Sequence, residues 1–298
     1  MAKPRSPLRK WLTRRIGYPV EALLVHGVNA VFRALPLDRA SALGGWIGRT
    51  VGPWLSGTRR ARRNLTRAFP EKSKAEIDSI LRGMWDNLGR TIAEYPHLEQ
   101  IGHERVELVG REHVDAMRED GRAGILVSGH LANWEVETVT ARICGLELAL
   151  VYRAPNNPIV GALLMKLRGA ASQTQIPKGP DGARILLRHL SKGGHVGMLI
   201  DQKMNDGIPI PFFGRDAMTA PAAASLGMKF GLPLCAARTE RLEGAHFRVT
   251  VLPPEEYPTS GDRNADTRIL MERLTRLLED WIRDKPAQWL WLHRRWPD

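Results

Sequence analysis

The sequence predicts an α/β fold, in which a mixed and largely parallel sheet is flanked by helices and preceded by a basic amphipathic helical region. Beyond about residue 104, short apolar runs alternate with stretches of helical periodicity, and this alternation is typical of a sheet covered by helices. The composition, with 43% apolar and 26% charged residues, is that of a globular protein with a substantial core. The excess of positive charge is confined to the N-terminal region and sets it apart from the rest of the chain.

Net charge divides the chain near residue 70. Residues 1–70 contain 14 Lys and Arg against two Asp and Glu, whereas residues 71–298 contain 30 of each type and are neutral. We therefore expect a basic helical region at 1–70 and an α/β domain at 71–298. Tryptophan and aliphatic residues are interspersed among the basic residues of the first part, which favours a membrane interface over a disordered polar arm. The two cysteines, Cys144 and Cys235, form no CxxC motif and indicate no disulfide framework.

The most apolar stretch of the basic region, residues 20–37, is too short to predict a membrane span. Only eleven residues separate Glu21 from Arg33, whereas a span needs roughly 20 apolar residues. We expect this segment to lie in the membrane interface, with Lys and Arg side chains near the anionic headgroups of the cytoplasmic leaflet. The alternative is a helix that belongs to the core of the folded domain.

Local periodicity predicts the remaining elements. Residues 73–95 predict a long amphipathic helix, since Ser73 and Glu76 form a capping box ahead of apolar residues at helical spacing. Apolar runs predict strands at 105–110, 124–129, 148–153, 195–201, 233–238 and 247–252. Helical patterns predict helices at 133–144, 158–169, 181–192, 219–230 and 264–284. The segment 203–221 is rich in Gly and Pro and is expected to be a long loop without regular structure.

The segment SGHLANWEV, residues 128–136, carries a histidine where a predicted strand ends and a carboxylate where a predicted helix begins. On one continuous helix, the five-residue spacing would place His130 and Glu135 on different faces, so their cooperation requires a break between strand and helix. With that break, His130 lies at the carboxyl end of a strand, where open α/β sheets bind ligands. Glu135 then reaches an imidazole nitrogen from the first helical turn, as in a general base oriented by a carboxylate.

Spacing alone leaves other interpretations of this pair open. A structural hydrogen bond between His130 and Glu135 would need no catalysis. A zinc site would lack a second histidine in the segment and an HExxH motif, so no metal is predicted. A serine hydrolase is disfavoured because Ser128 does not lie in a GxSxG elbow.

Further segments accompany SGHLANWEV in the order of the sequence blocks of one enzyme family. They are RRNLTRAFP at 62–70, VYRAPNNP at 151–158, IDQKMNDGIPIPFFGRDAMT at 200–219, GLPLCAA at 231–237 and WLWLHRRW at 289–296. Together with the H-x-x-x-x-E block, they resemble the late acyltransferases of lipid A biosynthesis, the lauroyl/myristoyl acyltransferase family among the glycerolipid-type acyltransferases. The FPEGTR-like block of lysophosphatidate acyltransferases is absent, and DQK stands in its place. The resemblance covers about residues 60–296.

This resemblance implies a membrane-associated enzyme that moves a fatty acyl chain from an acyl carrier protein thioester to a hydroxyl of a lipid A precursor. His130 is then the catalytic base that deprotonates the hydroxyl, and Glu135 is the catalytic carboxylate that orients it. Neither a cofactor nor an acyl-enzyme is implied. The substrate-binding candidates are Asn133, Arg153, Asp201, Gln202 and Thr219. The candidates for membrane or headgroup contact are Arg14, Arg15, Arg294 and Arg295, and His293 is assigned to the same surface.

The implied partners are an acidic acyl carrier protein and an anionic lipid acceptor, both of which a basic surface attracts. The implied location is the cytoplasmic face of the inner membrane, with the chain peripheral or monotopic. One alternative is an acyltransferase that acts on another lysophospholipid or glycolipid and uses acyl-CoA. Another is a basic peripheral membrane-binding protein without catalysis. A nucleic-acid-binding protein is disfavoured because residues 71–298 are neutral and carry no nucleic-acid-binding motif.

Overall fold

The computed structural model describes residue 6 and residues 11–152, 155–168 and 174–296. After a π-helical turn at Thr13–Gly17, the helices α1 to α5 occupy Tyr18–Ala34, Leu37–Val51, Gly57–Ala68, Lys74–Glu94 and Leu98–Glu104. The helices α6 to α11 occupy Arg111–Glu119, Glu135–Ile143, Pro158–Arg168, Pro180–Ser191, Ala222–Phe230 and Arg263–Asp284. The strands β1 to β9 occupy Val106–Val109, Ile125–Ser128, Leu148–Tyr152, Gln175–Pro177, His195–Leu199, Lys203–Phe212, Arg215–Thr219, Leu234–Arg241 and Phe247–Val251.

Among the described residues, the main sheet has seven strands in the order β1-β9-β8-β2-β5-β3-β4. In it, β8 and β9 pair antiparallel, and the other neighbours are parallel. The predicted α/β class with a mixed, largely parallel sheet is therefore confirmed. Strand β2 lies between β8 and β5 with all four of its residues buried, which is why its sequence is apolar throughout instead of alternating.

Most predicted elements are confirmed with shifts of one to three residues at their ends. Helix α4 begins at the predicted capping box: the Ser73 hydroxyl accepts a hydrogen bond from the backbone N–H of Glu76, and the Glu76 carboxylate accepts one from the backbone N–H of Ser73. The predicted helix at 133–144 starts later, at Glu135, because residues 129–134 form the turn that follows β2. Strand β4 was not predicted, since three residues are too few to show an alternating pattern.

The prediction of an irregular loop at 203–221 is wrong. Residues 203–219 form an antiparallel hairpin of β6 and β7, in which Ile210 lies opposite Ala217 and Phe212 opposite Arg215. The prolines of this segment are tolerated because a two-stranded ribbon leaves half of its backbone groups outside the ladder. Ile210, Phe212 and Ala217 are buried in the core that also contains residues of α11. Burial of alternate side chains against a helix therefore outweighs the weak strand propensity of Gly and Pro.

The helices of the basic region pack on the α/β part of the chain. Helices α2 and α4 approach so closely that a Cβ atom at Gly48 would lie 2.0 Å from the backbone oxygen of Trp85. Ala61 and Leu65 of α3 are fully buried in the same core cluster as residues of the central strands. The expected boundary near residue 70 therefore follows charge and does not coincide with a gap in the hydrophobic core.

Helix α1 is apolar, but most of its apolar side chains face outward. Only Ala22 and Phe32 are buried, whereas Leu23 is 74% exposed and Leu24 is 65% exposed. Glu21, which interrupts the apolar stretch, accepts a hydrogen bond from the side chain of Asn157 at 3.1 Å and so faces α8. Within the part of the chain that the structure describes, no helix combines the length and the hydropathy needed to cross a bilayer.

Candidate active site

The candidate site lies at the carboxyl ends of two neighbouring parallel strands. Ser128, the last residue of β2, lies opposite Leu199, the last residue of β5. His130 and Asp201 each follow two residues later, so the topology brings them together although 71 residues separate them in sequence. This edge of an open parallel sheet is where ligands bind in α/β proteins.

His130 and Asp201 form a close pair. The imidazole Nδ1 lies 2.7 Å from Asp201 Oδ1, and the backbone N–H of His130 donates to Asp201 Oδ2 at 2.8 Å. The Asp201 carboxylate therefore binds His130 twice, once at the imidazole ring and once at the backbone N–H. Because Nδ1–H donates to the carboxylate, Nε2 is left to accept a proton. The imidazole is 12% exposed and the carboxylate is wholly buried.

Asp201 remains ionised in this buried position. Burial alone would raise its pKa, but the opposing charges and hydrogen bonds of His130, together with the charge of His293, hold the pKa of Asp201 well below its ordinary value. A third donor, the indole N–H of Trp289, completes its environment at 2.8 Å from Oδ2. A buried carboxylate with three donors is a fixed negative charge that favours a proton on the imidazole.

The other face of His130 meets Gln202 and His293. The side-chain nitrogen of Gln202 lies 3.0 Å from His130 Nε2 and 3.3 Å from His293 Nε2. The two imidazole rings are tilted against each other, with centroids 5.2 Å apart. Burial, followed by the charge of His130, lowers the pKa of His293 to about 4. His293 is consequently neutral near pH 7 and can accept a hydrogen bond.

The turn between His130 and Glu135 contains a strained residue. Ala132 has a φ of 47°, in the left-handed region that residues other than glycine rarely adopt. Three bonds hold it there: its N–H donates to the carbonyl of Gln288 at 2.8 Å, and its carbonyl accepts from Asn87 at 3.0 Å and from Thr91 at 3.1 Å. Strain that is fixed by surrounding contacts is characteristic of functional turns.

Glu135 lies beside this pair and has different hydrogen-bond partners. Its Oε1 accepts from the hydroxyl of Tyr95 at 2.8 Å and from the indole N–H of Trp134 at 3.1 Å. The expected bond from Glu135 to the imidazole is corrected, because Asp201 occupies Nδ1 and Gln202 faces Nε2. Glu135 still reaches the histidine indirectly, since the Trp134 ring packs edge-on against the His130 ring with centroids 4.9 Å apart.

Three predicted contact residues are instead part of the protein interior. Asn133 is wholly buried and donates to Glu94 at 2.9 Å, while Glu94 is itself paired with Arg241. Thr219 is wholly buried, and its hydroxyl accepts from Arg295 at 2.7 Å. Arg295 is 1% exposed and cannot face a bilayer. Hydrogen bonds of these buried side chains hold the site's turn to α4 and the C-terminal segment to the hairpin, which differs from the contact with substrate or membrane that the sequence predicts.

The remaining candidates are placed as follows. Asp201 and Gln202 lie at the site, where both contact His130. Arg14, Arg15 and Arg294 are exposed, as membrane or headgroup contact requires. Arg153 lies outside the described residues. No group of three or more His, Cys, Asp or Glu in the described ranges is arranged to hold a metal ion.

A second buried carboxyl group lies behind the site. Glu137, in the first turn of α7, accepts hydrogen bonds from Ser128 at 2.8 Å and from Thr239 at 3.1 Å. Burial raises its pKa to about 8, and the two hydroxyl donors offset only part of that effect. Glu137 is therefore mostly protonated at neutral pH and joins β2, β8 and α7 as a neutral group.

An apolar groove of about 370 Å³ opens beside Trp134, whose ring packs against His130. Its walls come from α1, α4 and α8, and its lining includes Tyr95 and Trp134. Glu135 accepts hydrogen bonds from both of these residues and so lies beside the groove. Its lining is mostly apolar, as expected of a site that binds a hydrocarbon chain.

The local sequence around His130 does not identify Asp201 as its partner, nor Trp289 and Tyr95 as further residues of the site. Asp201 was expected to bind substrate, although its position two residues past a strand end was a usable signal once β2 and β5 were known to be neighbours. Trp289 lies in the C-terminal segment, and it reaches the site because Leu131 and Trp289 form an isolated antiparallel bridge. Nothing local in the sequence points to Tyr95.

Comparison with known proteins identifies relatives along most of the chain. Residues 9–298 match the model of a family described as bacterial lipid A biosynthesis acyltransferase. The chain is 26% identical over 300 residues to the lipid A biosynthesis lauroyltransferase of Escherichia coli (strain K12), with 96% of this chain and 92% of the relative covered. It is 24% identical over 274 residues to the lipid A biosynthesis myristoyltransferase of the same organism, with 88% and 80% covered. It is 24% identical over 279 residues to the palmitoleoyltransferase, with 90% and 88% covered.

Proposed function

The chain belongs to the bacterial lipid A biosynthesis acyltransferase family and is an acyltransferase of that pathway, and from this premise we propose that it moves a fatty acyl chain from an acyl carrier protein thioester to a hydroxyl of a lipid A precursor. The single observation that supports the chemistry is the His130–Asp201 pair, whose histidine packs against Trp134, a residue that lines an apolar groove. The pair supplies a base, and the groove accommodates a hydrocarbon chain beside it.

His130 acts as the general base in this proposal. Its Nε2 takes the proton of the acceptor hydroxyl while the hydroxyl oxygen attacks the thioester carbonyl, and the carbon–sulfur bond then breaks. The imidazolium returns the proton to the departing thiolate, so the histidine ends the cycle neutral. Asp201 stabilises the imidazolium, as the carboxylate of a hydrolase triad does. A well-placed base of this kind contributes roughly 10²–10⁴-fold to rate.

Glu135 is proposed to act on His130 through Trp134. Its carboxylate holds the indole N–H and the Tyr95 hydroxyl, and both of these side chains line the groove. The Trp134 ring then fixes the orientation of the imidazole by edge-on packing. Glu135 therefore couples the position of the acyl chain to that of the base.

The exposed surface of the N-terminal helices supports the proposal that the enzyme acts at the cytoplasmic leaflet of the inner membrane. The outward face of α1 and the turn that follows α2 expose large apolar side chains, including Leu23 at 74% and Trp54 at 87%. Exposed arginines lie next to them, among them Arg14, Arg15 and Arg59. An apolar face bordered by cations is typical of a helix that lies in an anionic interface. The same charge attracts an acidic carrier protein and an acceptor that carries phosphates.

Reconstitution of the reaction tests this proposal. Purified protein in vesicles is supplied with acyl carrier protein or CoA thioesters, and with either a lipid A precursor or a lysophospholipid, and products are identified by mass spectrometry. We expect transfer from the carrier protein to the lipid A precursor, and a loss of at least about 10²-fold in His130→Ala. His103→Ala, which changes an exposed histidine of α5, serves as the matched control.

Transfer only to the lysophospholipid, or only from CoA, would instead support the acyltransferase of another lipid that the sequence leaves open. Full activity of His130→Ala would remove the histidine from the mechanism whatever the substrates are.

A further inference from the structure

The side-chain amide of Gln202 is hydrogen-bonded to Nε2 of His130, the atom that acts as the base in the proposed reaction. Asp201 binds Nδ1, so Nε2 has a single lone pair in the plane of the ring, and the Gln202 nitrogen lies 3.0 Å from it. A lone pair accepts one strong hydrogen bond. An acceptor hydroxyl and the Gln202 amide therefore compete for the same place.

Gln202 has a second partner on its other side. His293 Nε2 lies 3.3 Å from the same nitrogen, and an amide –NH₂ carries two hydrogens, one for each imidazole. The sharing requires both Nε2 atoms to be acceptors. For His130 this follows from the bond between Nδ1 and Asp201. For His293 it corresponds to the neutral ring that carries its proton on Nδ1, since burial lowers the pKa of His293 to about 4.

His293 is held firmly enough to act as a fixed partner. Its backbone carbonyl accepts from Asn64 of α3 at 2.8 Å, and the preceding carbonyl of Leu292 accepts from Arg60 at 3.1 Å. On either side of it, Trp291 and Trp296 are buried in the core. The histidine thus lies on a well-anchored segment, whereas Gln202 is a longer side chain in the turn after β5.

We propose that His293 is a positioning residue that receives the Gln202 amide when the acceptor hydroxyl takes its place at His130 Nε2. In the unliganded enzyme the amide bridges the two rings and caps the base. Binding of the hydroxyl breaks one of the two amide bonds, and the bond to His293 keeps Gln202 from competing for Nε2. This inference rests on the proposed role of His130 as the base.

Substitutions at His293 and Gln202 separate this role from a structural one. His293→Phe keeps an aromatic ring but removes the acceptor, so the amide binds His130 alone and competes with the hydroxyl. Released from His293, the amide can take its best position on Nε2, so the hydroxyl must displace a stronger bond than in the wild type. We expect KM for the acceptor lipid to rise roughly two- to fivefold, with kcat nearly unchanged. His293→Gln provides a side-chain carbonyl oxygen as the acceptor in place of Nε2. We therefore expect its KM to stay near the wild-type value, unlike that of His293→Phe. In a Gln202→Ala background the competitor is gone, so adding His293→Phe leaves KM unchanged.

Other outcomes overturn the inference. An equal effect of His293→Phe in both backgrounds, a loss confined to kcat, or no rescue by His293→Gln would each show that His293 does not act through Gln202. The bridge is also measured without substrate, from the side-chain amide signal of Gln202 in the ¹⁵N-labelled full-length protein, assigned by its loss in Gln202→Ala. That signal should shift in both His130→Gln and His293→Phe. A response to His130 alone would refute the bridge even if acyl transfer is established, whereas absence of transfer in the wild type refutes only the proposed function.

Discussion

At the scale of single residues, the site is organised around one buried carboxylate. Asp201 receives the ring N–H of His130, its backbone N–H, and the indole N–H of Trp289. These three donors come from two different segments of the chain, so a change at Asp201 alters both the tautomer of the base and the position of the C-terminal segment. A carboxylate with this role stabilises the transition state more than the resting enzyme, because the imidazole gains its positive charge in the transition state.

Replacement of Asp201 by Asn removes that charge while keeping the shape of the side chain. We expect kcat to fall by roughly 10²–10⁴-fold with a smaller change in KM for the acceptor, since the amide neither stabilises the imidazolium nor enforces the Nδ1–H tautomer. Steady-state kinetics on protein of verified fold measure this. Asp216→Asn, at an exposed position of β7, is the control and should behave as the wild type. A D201N enzyme with unchanged kcat would exclude the carboxylate from catalysis.

Glu137 predicts a dependence of stability on pH. Its pKa is raised by burial to about 8 in the folded protein, against an ordinary value near 4.5. Between these values the unfolded chain releases the proton and the folded chain keeps it, so folding stability falls as pH rises through this window. Each unit of pKa difference corresponds to about 1.4 kcal/mol. Glu137→Gln does not titrate and should lose less stability between pH 5 and pH 8 than the wild type does.

Denaturant unfolding at the two pH values measures this difference. The exposed Glu243 offers a control, since Glu243→Gln should leave the pH dependence of the wild type unchanged. Equal loss of stability in the wild type and in Glu137→Gln would show that Glu137 is ionised in the folded state.

At the scale of elements, α1 has two faces with different surroundings. One face lines the apolar groove together with α4 and α8, and the opposite face exposes Val20, Leu23 and Val31. An apolar groove whose outer wall is an exposed apolar helix can receive a hydrocarbon chain from a membrane without moving that chain through water. The length of the groove between these helices should then set which acyl chains fit.

Narrowing the groove tests this relation. Leu164 of α8 lines the groove, and Leu164→Trp adds bulk that should shift the preferred donor toward shorter acyl chains, with several-fold lower kcat/KM for the longest chain accepted by the wild type. Competition assays with carrier proteins that bear chains of different length provide the measurement. Ala162→Trp places the same side chain at an exposed position of the same helix and should leave the preference unchanged. An unaltered preference in Leu164→Trp would place the acyl chain elsewhere.

At the scale of the whole molecule, charge and apolar exposure lie in the same region of the chain. The net positive charge comes from residues 1–70, and many of the large exposed apolar side chains in the described part of the chain are there too. Neither feature stabilises the folded monomer, because exposed apolar groups gain nothing from water and the positive charges repel one another. Both features are accounted for if this region lies in an anionic membrane interface.

Vesicle partitioning measures that contribution. Val20→Glu combined with Leu23→Glu replaces two exposed apolar side chains of α1, each worth about 1.5–3 kcal/mol on burial, so binding to anionic vesicles should weaken at least tenfold. Leu242→Glu, at an exposed apolar position outside the basic region, is the matched control. Binding of the wild type should also weaken as salt is raised. Unchanged partitioning of the double variant would remove α1 from the membrane contact.

Local patterns in the sequence are sufficient to predict the fold class and most of the elements. Alternation of apolar runs and helical periodicity yielded the fold class and most elements, and the capping box at Ser73 located the start of α4, because period and propensity act over a few residues. The block around His130 and Glu135 located the site for the same reason. The prediction of a loop at 203–219 is wrong because the hairpin is stabilised by packing against α11, and local propensity contains no information about that packing.

Contacts between side chains that are distant in sequence depend on the tertiary structure. The partner of His130 is Asp201, 71 residues away, because β2 and β5 are adjacent in the sheet, and strand order is not encoded in spacing. The same tertiary packing buries Asn133, Thr219 and Arg295, and it places His293 beside His130. Those choices depend on burial and hydrogen bonds between distant segments, since a buried polar group must find a partner wherever the fold supplies one.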